Sequence, residues 1–200
     1  MAKKVITGIH KDTQKNLQLG AGMFVKSFDP EKDDIATAKV LGATSGGGTF
    51  EAVPEFRNIA ENLDGNLGNV KGLQEIVSWE IKLTTTLKEC TPDQFKLALG
   101  AAKSVDGEKY TKISGKMDLE DSDYIDNICW IGTLKGSDLP VCIQVRNVLN
   151  GNGLSFKFED KNEGAFEVEF TPYFDPAKMD EVPFTIFYPK APVSVPGIGG

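Results

Sequence analysis

Residues 77–87, Val77-Ser78-Trp79-Glu80-Ile81-Lys82-Leu83-Thr84-Thr85-Thr86-Leu87, alternate without a break. Val77, Trp79, Ile81, Leu83, Thr85 and Leu87 point one way, and Ser78, Glu80, Lys82, Thr84 and Thr86 the other. Side chains of a strand repeat every second residue, so this segment buries one apolar face and leaves a small, threonine-rich face in water. A lone surface strand would use such a face, and so would the wall of a water-filled tube.

Upstream, residues 58–74 carry Gly65, Gly68, Gly72 and several asparagines without a period, which predicts a loop longer than compact domains ordinarily tolerate without a function. Residues 49–59 read as extended, with Phe50, Ala52, Pro54 and Phe56 on one face and Pro54 placing the strand at an edge. Thr44-Ser45-Gly46-Gly47-Gly48 predicts an interruption of regular structure. Residues 36–43 suit a short strand or a helical turn. Residues 17–28, with Gly20 and Gly22, predict a strand with a bulge, preceded by an N-terminal arm over 1–16.

Downstream, Thr91-Pro92-Asp93 supplies an N-cap, a proline at the first helical position and an acid in the first turn, and Gly100 a stop. One short helix is expected over 92–100. Strands then follow over 110–115, 124–135, 140–149, 154–159, 165–171 and 184–188. Asn150-Gly151-Asn152-Gly153 predicts a hairpin turn between two of them. Residues 160–164 predict another, setting Phe156 and Phe158 against Phe166, Val168 and Phe170. Residues 189–200, rich in Pro and Gly, read as an extended C-terminal arm. The whole is a single, mainly β domain over 17–188 with one α-helix.

Composition narrows the function. A net charge of −7 and a pI near 4.9 oppose stable binding to nucleic acid or an anionic membrane, while leaving transient passage of DNA open. No apolar run approaches the roughly 18 residues of a membrane span, and residues 1–12 lack a secretory core, so folding in a cytosol is expected. Cys90, Cys129 and Cys142 are odd in number and without a CxxC pair, which fits reduced thiols better than disulfides or zinc. His10 is the single histidine, leaving no material for a histidine triad or multi-histidine metal site.

Other chemistry is weighed and set aside. Gly46-Gly47-Gly48 lacks the Lys-Ser or Lys-Thr of a phosphate loop. Asp118, Glu120, Asp121, Asp123 and Asp126 form an acidic run without the spacing of a calcium loop and read as solvated. A glycosidase pair drawn from Glu80, Glu159, Glu167 and Glu169 is explained more simply by outward alternation. Trp79 and Trp130 could make a carbohydrate platform, but Trp79 lies on the apolar face. No catalytic residue, cofactor or metal is expected.

The runs Gly48-Thr-Phe-Glu-Ala-Val-Pro-Glu-Phe-Arg-Asn-Ile59, Gly68-Asn-Val-Lys-Gly-Leu73, residues 77–87 and Phe95-Lys-Leu-Ala-Leu-Gly100 resemble the major tail tube proteins of long-tailed phages and prophages of Gram-positive bacteria. The likeness runs over about residues 22–100 and is looser afterwards. It implies two packed antiparallel sheets forming a barrel-like sandwich with a flanking helix, as in type VI secretion tubes. It also implies rings, usually of six, that stack into a hollow tube through which DNA passes. Partners implied are further copies of the chain and the tape measure, tail terminator and distal tail proteins. The location implied is the virion, with assembly in the host cytoplasm. Candidate inter-ring contacts are Asn58, Asn62, Asp64, Asn66 and Lys71 of the long loop, together with the two arms. Lumen-facing candidates are Glu80, Lys82, Thr84 and Thr86, with Glu80 preferred and Lys82 a counterweight. Alternatives are the tube subunit of a contractile injection particle and a β-sandwich module binding carbohydrate or acting as an adhesin.

Overall fold

The computed structural model describes residues 8–10, 12–157, 160 and 163–190. The strands are β1 (Gln18–Lys26), β2 (Lys39–Val40), β3 (Thr44–Asn58), β4 (Gln74–Leu87), β5 (Ala102–Asp106), β6 (Thr111–Gly115), β7 (Ile125–Leu134), β8 (Val141–Asn150), β9 (Phe156–Lys157), β10 (Ala165–Pro172) and β11 (Phe184–Phe187), and the helix is α1 (Pro92–Leu99). The chain is mainly β. One large antiparallel sheet runs β2-β1-β7-β8-β10-β4-β3, with β11 added to β8 and β9 to β10, and β5 and β6 form a separate hairpin.

The large sheet folds over on itself. Strand β10 pairs with β4 over Phe166 to Phe170 and with β8 from Phe170 to Pro172, so it turns the corner between two layers. The inner faces meet in one core: Phe24 and Ile128 from one layer, Leu83, Leu87, Phe166 and Phe170 from the other. Each such buried side chain contributes about 1.5–3 kcal/mol relative to exposure. Behind the first layer, Val25, Phe28, Cys129, Ile131 and Cys142 make a second, smaller cluster. The result is a sandwich-like, unclosed barrel.

The alternating strand takes the predicted faces from Trp79 onward, with Ile81, Leu83, Thr85 and Leu87 buried. Val77 departs from them. The β3–β4 register slips between Glu55 and Phe56, which leaves Val77 without a cross-strand partner, and it is exposed.

Two sequence expectations are corrected. Residues 44–48 do not interrupt regular structure but open β3, with Gly46 and Gly47 forming a bulge at φ 76° and 78°. Gly48 sits so close to its neighbours that a Cβ would stand 2.5 Å from Phe24 Cζ and 2.6 Å from the Thr84 carbonyl. Nor does Asn150-Gly151-Asn152-Gly153 join a hairpin: β8 pairs with β7, β10 and β11, and β9 with β10. Asn150 is instead a buried tie, donating from Nδ2 to the Ala98 carbonyl at 2.5 Å and accepting the Glu169 N–H at 2.9 Å. Strand β5 is an addition to the expected set.

The β1 bulge is present, between Leu19 and Met23, and residues 35–40 hold both a 3-10 turn, Ile35–Thr37, and β2. The helix starts as its sequence requires. Thr91 Oγ1 accepts the Gln94 N–H at 3.3 Å, and Gln94 Oε1 accepts the Thr91 N–H at 3.0 Å. Phe156 pairs with Phe166 as expected. Phe158, Glu159 and most of both predicted arms, residues 1–7, 11 and 191–200, lie outside the described residues.

Candidate functional site

The wet face of β4 continues across three strands. Thr84 stands between Thr49 of β3 and Glu169 of β10, Thr86 between Ser45 and Glu167, and Lys82 opposite Glu51. Because neighbours in register share a face, Glu51, Glu55, Glu80, Glu167 and Glu169 make an acidic wall with threonines between them. The four lumen candidates, Glu80, Lys82, Thr84 and Thr86, are thus brought together on one surface turned away from the core.

Lys82 Nζ lies 2.8 Å from Glu80 Oε1. That hydrogen bond and charge hold the Glu80 carboxyl below the usual carboxylate range. Glu80, and then the fields of Glu169 and Glu51, raise the Lys82 ammonium. The single lysine is neutralised by its own surroundings, and the wall stays negative.

Beyond Leu83, β4 has β3 as its sole strand neighbour among the described residues, so the far ends of the two strands form a two-stranded ribbon. Its polar side is held by the Arg57–Glu75 ion pair and by Ser78 Oγ donating to Glu55 Oε2 at 2.5 Å. Its other side, Phe56 and Ile76, has run past the core and is open to solvent, at 59% and 50% exposure.

The loop at the ribbon tip is built rather than slack. Ile59 N–H donates to the Leu73 carbonyl at 2.9 Å, closing the loop at its base. Asn58 Oδ1 accepts the Ala60 N–H, and Asn66 Nδ2 donates to the Ala60 carbonyl at 2.7 Å, around a buried Ala60. Asn58 and Asn66, both half-buried, thus brace the loop internally. Asn62, Asp64 and Lys71 are exposed. So are Ile59, Leu63, Leu67 and Val70, with Leu67 fully in solvent. Sequence reasoning passed over these apolar residues; their trace was the Leu63–Leu67 spacing in a loop otherwise made of Asn, Gly and Asp.

The other candidates are placed as follows. Trp79 meets Phe184 edge-on at 5.6 Å, and Trp130 Nε1 donates to the Ala21 carbonyl at 2.9 Å. Glu80 is six residues along β4 from Thr86, the partner of Glu167, a run of about 20 Å that exceeds the separation of a glycosidase pair, whereas Glu167 and Glu169 stand two residues apart on one face of β10, about 7 Å, on the open sheet surface. Glu120 and Asp123 of the acidic run are both taken by Lys116 Nζ at 2.7 Å. Among the described residues no group of three or more His, Cys, Asp and Glu is arranged to hold a metal ion. Cys129 is buried beside Cys142, whose thiol, together with burial, pushes the Cys129 thiol far up, so it stays protonated. His10 is exposed and accepts the Asp12 N–H through Nδ1. No described helix is long and apolar enough to cross a membrane.

No family model and no curated protein matches this chain.

Proposed function

We propose that the chain is a structural subunit that joins copies of itself into rings, six to a ring, and that the rings stack into a hollow phage-type tail tube for DNA. The observation that carries the reading is the acidic and threonine-rich wall of β3, β4 and β10. It is a broad wet face with little to grip a ligand and a charge that repels phosphate, as the lining of a DNA conduit requires.

Strand edges supply the joints. The sheet ends at β2 and β3, and β3 is a 15-residue strand whose outer edge has no strand partner among the described residues. A free edge of that length invites pairing, and edge-to-edge joining of copies would satisfy it while aligning their wet faces around one channel. The ribbon, with Leu63 and Leu67 at its tip, is the contact to the next ring. A stacked copy would cover apolar surface that a monomer leaves in water.

The test is sedimentation and negative-stain microscopy of the purified full chain over a concentration series. Rings or tubes with a central hole are expected. Persistent monomers at high concentration, with no ring in any condition, would overturn the proposal.

A further inference from the structure

A second surface has the chemistry of a receptor. Tyr124, Tyr173 and Phe174 line an open groove of about 470 Å³, with the two tyrosines edge to face at 5.3 Å. Asp121, Asp126 and Asp175 surround them, and none of the three makes an ion pair among the described residues. The groove floor is fixed: Tyr173 N–H donates to the Asn147 carbonyl at 3.0 Å, and Asn147 Nδ2 to the Tyr173 carbonyl at 3.3 Å. Asn147 itself holds a left-handed backbone at φ 51°, an uncommon state for a residue with a side chain. Aromatic rings ringed by unpaired carboxylates suit a ligand that is apolar, extended and basic at one point.

This chain carries such a segment. Residues 190–196 read Lys190-Ala-Pro-Val-Ser-Val-Pro196, one lysine followed by two prolines in a stretch suited to a polyproline helix, a conformation that aromatic grooves receive at low entropic cost. Its point of departure selects the recipient. Strand β11 runs antiparallel to β8, from Phe184 opposite Val145 to Phe187 opposite Cys142. The groove adjoins the other end of β8, where Ile125 pairs with Val148. The tail thus leaves the domain about 20 Å from its own groove and at the opposite end of the strand. A copy displaced along the strand axis presents its groove where the tail emerges, and a head-to-tail contact of this kind repeats without closing.

Resting on the stacked-ring reading, we propose that the Tyr124–Tyr173 groove receives residues 190–196 of a second copy, with Lys190 among Asp121, Asp126 and Asp175.

The experiment uses the full chain in a Cys90→Ser background, since Cys129 and Cys142 are buried. Pro176→Cys, at the groove rim and outside the three carboxylates, and Ser194→Cys are placed together on one chain and treated with a short bismaleimide. A ladder of dimers, trimers and higher species is expected. Adding Lys190→Glu, or a synthetic peptide of residues 188–200 as competitor, should suppress it. A fluorescent form of that peptide should bind the full chain saturably, about tenfold more weakly in Tyr173→Ala. A product cross-linked only within single chains, absence of a ladder at concentrations where the protein is assembled, or peptide binding indifferent to Tyr173→Ala would each overturn the inference. Microscopy of the same samples separates the two proposals: rings without a ladder leave the tube and remove the groove, and a ladder without rings does the reverse.

Discussion

Thr85 Oγ1 donates to the Gly47 carbonyl at 2.8 Å, so the one hydroxyl on the buried face of the alternating strand secures the glycine bulge of its neighbour. Thr85 is buried, and the bulge carbonyl would lose its partner if the hydroxyl were removed. Thr85→Val keeps the shape and deletes the bond, and is expected to cost about 1 kcal/mol. Thr84→Val, one residue along on the wet face, should change stability by less than about 0.5 kcal/mol. Urea midpoints of the two variants make the comparison, and equal shifts would show that the bond is not what holds the bulge.

The Lys116 cluster gives a pH dependence. Its ammonium, with the Glu120 backbone N–H, holds the Asp123 carboxyl below its ordinary value near 3.8. A carboxyl with a lower pKa folded than unfolded adds stability above the unfolded value and loses it as pH falls through the folded one. Acid unfolding should therefore include a component below pH 3.8 that Asp123→Asn removes. Lys116 is raised above 10.5 by Asp123 and then Glu120, so its share is present below that pH and lost only above it. Denaturation midpoints across the acid limb, with and without Asp123→Asn, are the check; superimposable curves would contradict the assignment.

What could be read in advance follows the range of the forces involved. Residues 79–87 and 91–100 announce themselves because a strand period and an N-cap followed by proline are local, and Trp79, Ile81, Thr91 and Pro92 sit where the pattern puts them, while the Gln94 half of the capping box came only with the structure. The glycines at 46–48 mislead because their order comes from Thr85 and Phe24, both distant in sequence. Asn150 and its glycines fit a hairpin turn in isolation, but the space beside β8 is filled by β10 and β11, and no local signal reports that. The same division holds for the site. Alternation places Glu80, Lys82, Thr84 and Thr86 on one face, whereas Glu51, Glu167 and Glu169 join them only through register. In the loop, asparagines drew attention as polar contacts, yet Asn58 and Asn66 turn inward to brace a display of leucines.

That display makes a sharp test of stacking. Leu67 is fully in solvent and Leu63 is 59% exposed, so Leu63→Asp with Leu67→Asp should leave unfolding within about 1 kcal/mol of the parent. Tube elongation should fail, leaving single rings or small oligomers in sedimentation and microscopy. Tubes of ordinary length from this variant would remove the ribbon from the ring-to-ring contact.

The acidic wall is tested by inverting it. If Glu51, Glu80 and Glu169 line a channel, changing all three to lysine turns a repelling surface into one that neutralises phosphates, and affinity for DNA should rise and fall steeply with salt. Tubes assembled from the variant in the presence of duplex DNA should retain it at low ionic strength and release it at high, read as nucleic-acid absorbance in the pelleted tubes, while the parent retains none. Should three inversions prevent assembly, Thr84→Lys supplies one charge at the centre of the same face and a smaller retention of the same sign. Assembled tubes of either variant that ignore DNA would mean that this face looks outward, and the conduit would have to be lined by other strands.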